Sequence, residues 1–436
     1  MKHLIAIVEG VEPTVLRREM DAGRLPWFQK TAQEGRWWDM DCGPAPYEPT
    51  NLASAFSGQG PGEHGCFSYW AIRDGGNKPR VLENADVKAK RFWEWQELKD
   101  IRFSVVNVQL THPPQPLNGN LISYPMLATL RASYPNDLLA KLSRNGIRYA
   151  HDVTVFYAGQ ELEEFANEAA RAAIYQLDTA LALADDCDVM VFNLTLPDRL
   201  SHFLWHELER PESEWTQRPH ILRAYDFVDQ ACARLQEKVT GSCIVFTEIG
   251  FGGIDGFVSI DKLLQDAGLQ ILNGDGEVDL ERSLAFEAVQ GSHGIILTES
   301  MLGQGNSARS KGSGAFDIVK EALLSFHFGD GSPVLAAAHH RDEVYSGPWS
   351  HLGPDIIVKP ADPRRPPLGD PRWAEHVRRN DQSGWHRDRG FVMVNGPASS
   401  TFLECETPSL ESIAPTIARL LGRDIPGACK APSLVS

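Results

Sequence analysis

Five short apolar runs, each closed by a turn residue or an acid, constrain the fold of this chain more than any other feature. They are "HLIAIVEG", "RFSVVNVQL", "CDVMVFNLTLPD", "SCIVFTEIGFGG" and "GFVMVNGP". Each has the length of one buried strand, and such strands need cover on both faces. Cover is available between them. "ELEEFANEAARAAIYQLDTALALA" and "PHILRAYDFVDQACARLQEKV" repeat apolar residues at three- and four-residue steps, the period of a helix. Strands alternating with helices predict an α/β fold: a doubly wound, mostly parallel sheet with helices on both faces. Ligands of such sheets bind beyond the carboxyl ends of the strands. Glu9, Asp198 and Glu248 fall there.

The 436 residues suit one sheet-based core carrying an insert. The core is expected over 1–251 and 356–436. Residues 252–355 read as an inserted cap or substrate region, rich in Gly, as in "GIILTESMLGQGNSARSKGSG". The loop "KPADPRRPPLGDPRW" leads back to the core. The net charge of −16 argues against a nucleic-acid polymer as partner. No apolar run approaches the roughly 20 residues of a membrane span, so no membrane partner is expected. "MKHLIAIVEG" reads as a first buried strand rather than a signal peptide. Seven scattered cysteines without a CxxC pair read as reduced thiols. Together these predict a cytoplasmic protein.

Four motifs carry metal-ligating residue types. In "IVEG", Glu9 ends the first strand, where an acid is also a common helix cap or turn residue. In "LPDRLSHFLW", Asp198 and His202 are four apart, which places both on one face of a helical turn within reach of one ion. A capping aspartate and an unrelated histidine is the plainer alternative. "FTEIGFGG" puts Glu248 after another strand, followed by glycines that let a backbone approach closely. "SGWHRDRGFVMVNGP" puts His386 just before a strand. A fifth stretch, "GPAPYEPTNLASAFSGQGPGEHG", holds Glu48 in a loop entering a helix, with Thr50 placed as the side-chain cap of that helix.

These five stretches, in this order, resemble the type I phosphodiesterase/nucleotide pyrophosphatase branch of the alkaline phosphatase superfamily. The resemblance covers most of the chain. It extends to "LPWFQKTAQEG", "EVYSGP", "GPDIIV" and "LESIAPTIARLLG". It implies two metal ions. Asp198, His202 and His386 match the ligands of the first. The second would take an acid at position 9, a nucleophile at 48 and an Asp-His pair at 248 and 249. This chain has Glu9, Glu48, Glu248 and Ile249 there. Counting ten residues back from the glycine matching Gly58 gives Glu48, where the family has Thr, Ser or Cys. Thr50 is the nucleophile only if the loop is shifted by two residues.

One ligand is lost, at Ile249, and one carboxylate is gained, at Glu48. Four carboxylates facing two divalent ions would be near neutral, whereas without metal they would raise one another's pKa. A rebuilt site of Glu9, Glu48, Asp198, Glu248, His202 and His386, converging in space, is therefore expected. Oxygen-rich ligands suit Fe or Mn, with Zn also compatible. The first function expected is hydrolysis of a small phosphate ester or related anion by a metal-bound hydroxide, with Glu48 bridging ions or acting as base. A di-iron or Mn/Fe centre using O2 is the second, by analogy of ligand set with helical di-iron proteins. A non-catalytic binding protein is the third. Arg387, Tyr69 and His112 are candidate substrate-binding residues. His293 is a further pocket-lining candidate.

Overall fold

In strand β1 (His3–Val8), Leu4, Ala6 and Val8 pack into one apolar cluster while Ile5 and Ile7 pack into another. Side chains alternate across a sheet. Both faces of β1 are therefore buried, which is why its sequence reads as a continuous apolar run.

The computed structural model describes residues 1–72, 79–126, 129, 131–151, 157–298, 314–367, 369, 382–396 and 401–436. Two compact units emerge: Met1–Gln59 with Glu83–Gly253 and Val377–Ser436, and Gly60–Leu82 with Ile254–His376. Much of the Gly-rich stretch singled out above, 299–313, lies outside the described residues, as does the end of the Pro- and Arg-rich loop.

After β1, the first unit contributes β2 (Arg36–Asp41), β3 (Phe103–Val108), β4 (Gly119–Ser123), β5 (Ser133–Tyr134), β6 (Val189–Leu194), β7 (Cys243–Thr247) and β8 (Gly250–Gly253). The second unit then forms β9 (Ala285–Glu287), β10 (Gly294–Leu297), β11 (Leu335–His340) and β12 (Ile356–Pro360). These make a four-stranded antiparallel sheet of order β11-β12-β10-β9. The first unit resumes with β13 (Gly384–Arg387) and β14 (Arg389–Asn395).

The main sheet has eight strands in the order β2-β14-β7-β1-β6-β3-β4-β5. From β7 through β1, β6 and β3 to β4 every pairing is parallel. Strand β14 runs antiparallel to both its neighbours, and β5 antiparallel to β4. Two apolar clusters cover the two faces. The mostly parallel α/β sheet is thus as expected. Among the described residues no helix is long and apolar enough to cross a membrane.

Three local features aim the candidate residues at one end of this sheet. Glu9 and Glu248 follow β1 and β7 directly. Gly10 has φ +73°, and a Cβ there would lie 2.6 Å from Asp198 Cα. A bare backbone at Gly10 therefore lets Glu9 pass against the helix Leu196–Leu204, and Asp198 N–H donates to Glu9 O at 3.1 Å. The third is the β8–β13 ribbon, which pairs His386 with Phe251.

The Leu196–Leu204 helix is tied down beyond its end. The following turn reaches Glu207, whose carboxylate meets His220 Nδ1 at 2.7 Å, while Glu163 meets His220 Nε2 at 2.7 Å. Carboxylates only accept, so both ring nitrogens carry protons. His220 is raised, first by the Glu207 bond and charge against the cost of burial, then by Glu163; the nearby Arg223 opposes the shift. A raised histidine contributes stability that is complete below its unfolded pKa and lost as pH rises through the folded one. Wild type is expected to lose about 1 kcal/mol this way on going to mildly alkaline pH, a figure discounted for the half-exposed Glu163. Thermal midpoints across that range should fall less steeply in His220→Gln than in wild type.

Candidate metal centre

Glu48 opens the helix Glu48–Ser57, with Tyr47 as the flanking residue. Pro49 fixes that start, since its set φ and missing N–H suit the first helical turn. The expected capping role of Thr50 is therefore wrong. Thr50 sits inside the first turn, and its hydroxyl is buried with no hydrogen-bond partner. At 3.6 residues per turn its side chain leaves the helix about 200° round from that of Glu48. Asn51 holds the helix to neighbouring strand ends, donating to Cys42 O at 2.9 Å and Glu248 O at 2.7 Å.

Glu48, Asp198, His202 and His386 each present a ligand atom, and all four atoms lie within 4.8 Å of one another. His386 Nε2 is 3.3 Å from Asp198 Oδ1 and 3.6 Å from Glu48 Oε1; His202 Nε2 is 3.6 Å from the same Asp198 oxygen. The rings are held by aromatic packing. Trp385 stacks on His386 with centroids 4.8 Å apart, and Phe251 stands 5.0 Å from His202. His386 Nδ1 lies 3.2 Å from Pro46 O. A carbonyl only accepts, so Nδ1 carries a proton there and Nε2 is left facing two carboxylates. A proton or a cation must stand between them.

Glu9 and Glu248 lie outside this tight group of four but within electrostatic reach of it. Burial, then the charges of Glu248, Asp198 and Glu48, raises Glu9 well above the usual carboxyl range. Burial, then Glu48 and Asp198, does the same to Glu248. Burial pushes Glu48 up to about 7 against the pull of His386, and lowers His202 to about 4. Asp198 stays low because His202 and His386 outweigh its burial. His386 is raised because Glu48 and Asp198 outweigh its own burial.

Glu48 Oε2 and both Glu248 oxygens are buried without a hydrogen-bond partner from another residue, while Asp198 Oδ1 and His386 Nε2 are buried facing each other at 3.3 Å. Buried polar atoms are ordinarily satisfied. A convergent set of imidazole nitrogens and unsatisfied oxygens fits divalent cations.

The other expected residues are placed differently. Arg387 donates to the carbonyls of Trp385, His386 and Gly253, so its guanidinium is engaged with backbone. His112 Nδ1 is 3.2 Å from Ser123 Oγ. Tyr69 and His293 are buried in the second unit. Ile249 is fully buried. Three polar residues beside the acids escaped the sequence reading. Gln109 and Asn193 both donate to Glu9, and Arg199 donates to Tyr124 Oη at 3.2 Å while its charge acts on Glu48, Asp198 and His202. The available signals were amides inside or just after apolar strands, "MVFNL" and "NVQL", and a base next to Asp198.

Residues 4–380 match the family model described as type I phosphodiesterase / nucleotide pyrophosphatase. The chain belongs to that family. A comparison with curated protein sequences found no match. Among solved structures, phosphonoacetate hydrolase from Sinorhizobium meliloti 1021, in complex with phosphonoformate, is 13% identical with a TM-score of 0.64. That likeness covers 95% of this chain and 94% of the hydrolase. Murine ectonucleotide pyrophosphatase / phosphodiesterase 5 is 13% identical with a TM-score of 0.56, over 100% of both chains. Wild-type alkaline phosphatase PafA is 12% identical with a TM-score of 0.59, over 99% of this chain and 97% of its own. At these identities the likeness is one of fold, the alkaline phosphatase-like α/β fold. Within this phosphodiesterase family chain, the acid cluster lies at the carboxyl end of the sheet, where its fold class places ligands.

Proposed function

We propose that this chain hydrolyses a small phosphate ester or related anion at a two-cation centre held by Glu9, Glu48, Asp198, His202, Glu248 and His386, without a Ser or Thr nucleophile. The observation that carries the reading is the convergence of buried imidazole and carboxylate atoms, with unsatisfied oxygens among them, in a phosphodiesterase family chain. Asp198, His202, His386 and Glu48 would hold one cation, with Glu9 and Glu248 completing the second. Mn, Fe and Zn all suit such ligands. When bound, a divalent cation polarises a phosphoryl oxygen and makes water acidic enough to attack at neutral pH.

The chain's own residues do the rest. Position 48 offers no hydroxyl, so no phospho-enzyme ester forms there. Glu48 Oε2, which accepts no bond from the protein, is the atom free to take a proton from attacking water. His386 keeps its proton on Nδ1 for Pro46 O and leaves Nε2 to the centre. Arg199 sets positive charge beside Glu48 and Asp198, which suits an anionic substrate. The net charge of −16 disfavours a nucleic-acid polymer in that role. Seven cysteines, none in a disulfide, fit a cytoplasmic setting. Substrate selection by the 252–355 insert is part of the same proposal.

The test is metal content and turnover of chromogenic phosphate mono- and diesters, before and after chelation. Turnover should disappear with the metal and return on adding Mn or Zn. His202→Ala should lose more cation affinity than the roughly tenfold to hundredfold cost of removing an outer-shell partner. Full metal occupancy in His202→Ala would show the first cation site to be misassigned. Bound iron with O2-dependent turnover and no ester hydrolysis would favour the oxidative reading instead.

A further inference from the structure

Glu9 is held by a closed ring of hydrogen bonds. Gln109 Nε2 donates to Glu9 Oε2 at 2.6 Å. Asn193 Nδ2 donates to the same Oε2, and also to Gln109 Oε1 at 2.9 Å. Gln109 and Asn193 are buried. The ring closes in one sense only. Ionised, as a cation ligand must be, Glu9 accepts and cannot donate, so both amides must turn nitrogen toward it. Asn193 then spends its two N–H groups on Glu9 and Gln109, and in doing so fixes the orientation of Gln109.

The topology explains the convergence. Strands β1, β6 and β3 are adjacent and parallel, with Ile7 in register with Asn193. Glu9 and Gln109 follow the ends of the two outer strands of this trio, and Asn193 lies near the end of the middle one. Further out, Asn107 Nδ2 donates to Asn193 O at 3.2 Å, and Tyr149 Oη donates to Asn107 Oδ1 at 3.2 Å. These bonds reach the backbone of Asn193 and not the side-chain ring around Glu9.

We infer that Gln109 and Asn193 are positioning residues that pin Glu9 through Oε2 and leave Oε1 as the single oxygen it offers to the second cation. The inference rests on the two-cation reading above. Glutamate is one methylene longer than aspartate and has one more rotor to immobilise. The ring immobilises it before any cation arrives. Glu248 differs, since neither of its oxygens has a partner from another residue. The second cation would thus meet one oxygen already set and one carboxylate free to adjust.

The experiment is equilibrium dialysis of Zn(II) and Mn(II) against the full chain, with folding checked by circular dichroism. Gln109→Met and Asn193→Ala each remove one donor, and either, if folded, carries the test. Affinity for the second ion should fall about tenfold to a hundredfold, with the first unchanged. Gln176→Met is the control. Gln176 bonds to Asn107 and to Ala150 O but not to Glu9, so its loss should cost stability and leave both affinities as they were. A wild type that binds no second ion overturns the two-cation reading, and the clamp falls with it. Two ions in wild type and unchanged second-ion affinity in the folded variants overturn the clamp alone. Equal weakening in Gln176→Met would show a merely structural effect and likewise overturn it.

Discussion

Replacing Glu48 by Thr is expected to lower metal content and native turnover together, not to restore an efficient phosphodiesterase. The substitution takes a carboxylate from a group of four ligand atoms within 4.8 Å of one another. It leaves His386 Nε2 facing Asp198 alone, and it cannot replace the ligand missing at Ile249. Turnover should fall by about a hundredfold or more, the scale of removing one oriented group that acts in the transition state. Thr50→Ala should be close to neutral, because Thr50 leaves its helix on a different side from Glu48. Metal content and turnover of the two variants, beside the double change Glu48→Thr with Ile249→His, separate the cases. If Thr50→Ala abolishes activity and Glu48→Thr is harmless, Thr50 is the nucleophile and the register of the loop is wrong. If the double change gains phosphodiesterase turnover while losing the native reaction, position 48 and position 249 were rebuilt together.

Stripped of metal, the protein should lose stability as the pH rises above about 6.5, and a divalent cation should abolish that loss. Glu48 is pushed up to about 7 by burial, and burial with neighbouring carboxylates raises Glu9 and Glu248 further. The folded chain therefore keeps protons that the unfolded chain has released. Stability from such groups is complete below the ordinary carboxyl pKa and is lost as pH climbs through the folded values. His386, raised by Glu48 and Asp198 against its burial, acts with the same sign. His202 and Asp198, both lowered, act with the opposite sign at lower pH. Asp198 adds no slope near neutral pH, and the opposing slope of His202 fades above about pH 6.5 as the unfolded histidine also loses its proton. Cations replace the protons and remove the repulsion. Thermal midpoints with chelator and with Mn or Zn, taken on either side of neutral pH, provide the comparison. A slope unchanged by metal would mean that the acid cluster is not where cations bind. The His220 contribution persists in both conditions and can be subtracted with His220→Gln.

Much of the sheet was legible because its inner strands are buried on both faces. Runs such as "RFSVVNVQL" and "CDVMVFNLTLPD" announce themselves as strands by apolarity alone, and they became β3 and β6. The convergence of Glu48, Asp198, His202 and His386 was legible through motif order. Other features depend on contacts that a linear pattern does not record. An amide near the end of an apolar run looks like a residue on a wet edge, yet Asn193 and Gln109 are buried against Glu9. Thr50 matched a capping pattern, but Pro49 carried the helix start three residues further back, so that Tyr47 stands at the cap position. Arg387 looked like an anion contact because it neighbours His386, whereas the β8–β13 ribbon offers it backbone carbonyls instead. The stretch Gly60–Leu82 joins the second unit through contacts distant in sequence, such as Phe67 packing on Tyr345 and Ile357, which no local composition shift marks.

With Glu48 as a cation ligand, position 48 is not the seat of a nucleophile. Anomalous scattering from a crystal of the full chain grown with Mn or Zn would locate the metal. A peak is expected about 2.0–2.3 Å from atoms of Glu48, Asp198, His202 and His386, and a second peak touching Glu9 and Glu248. A peak that leaves Glu48 outside every coordination shell, with the Thr50 hydroxyl turned toward the ion, would contradict that role for Glu48.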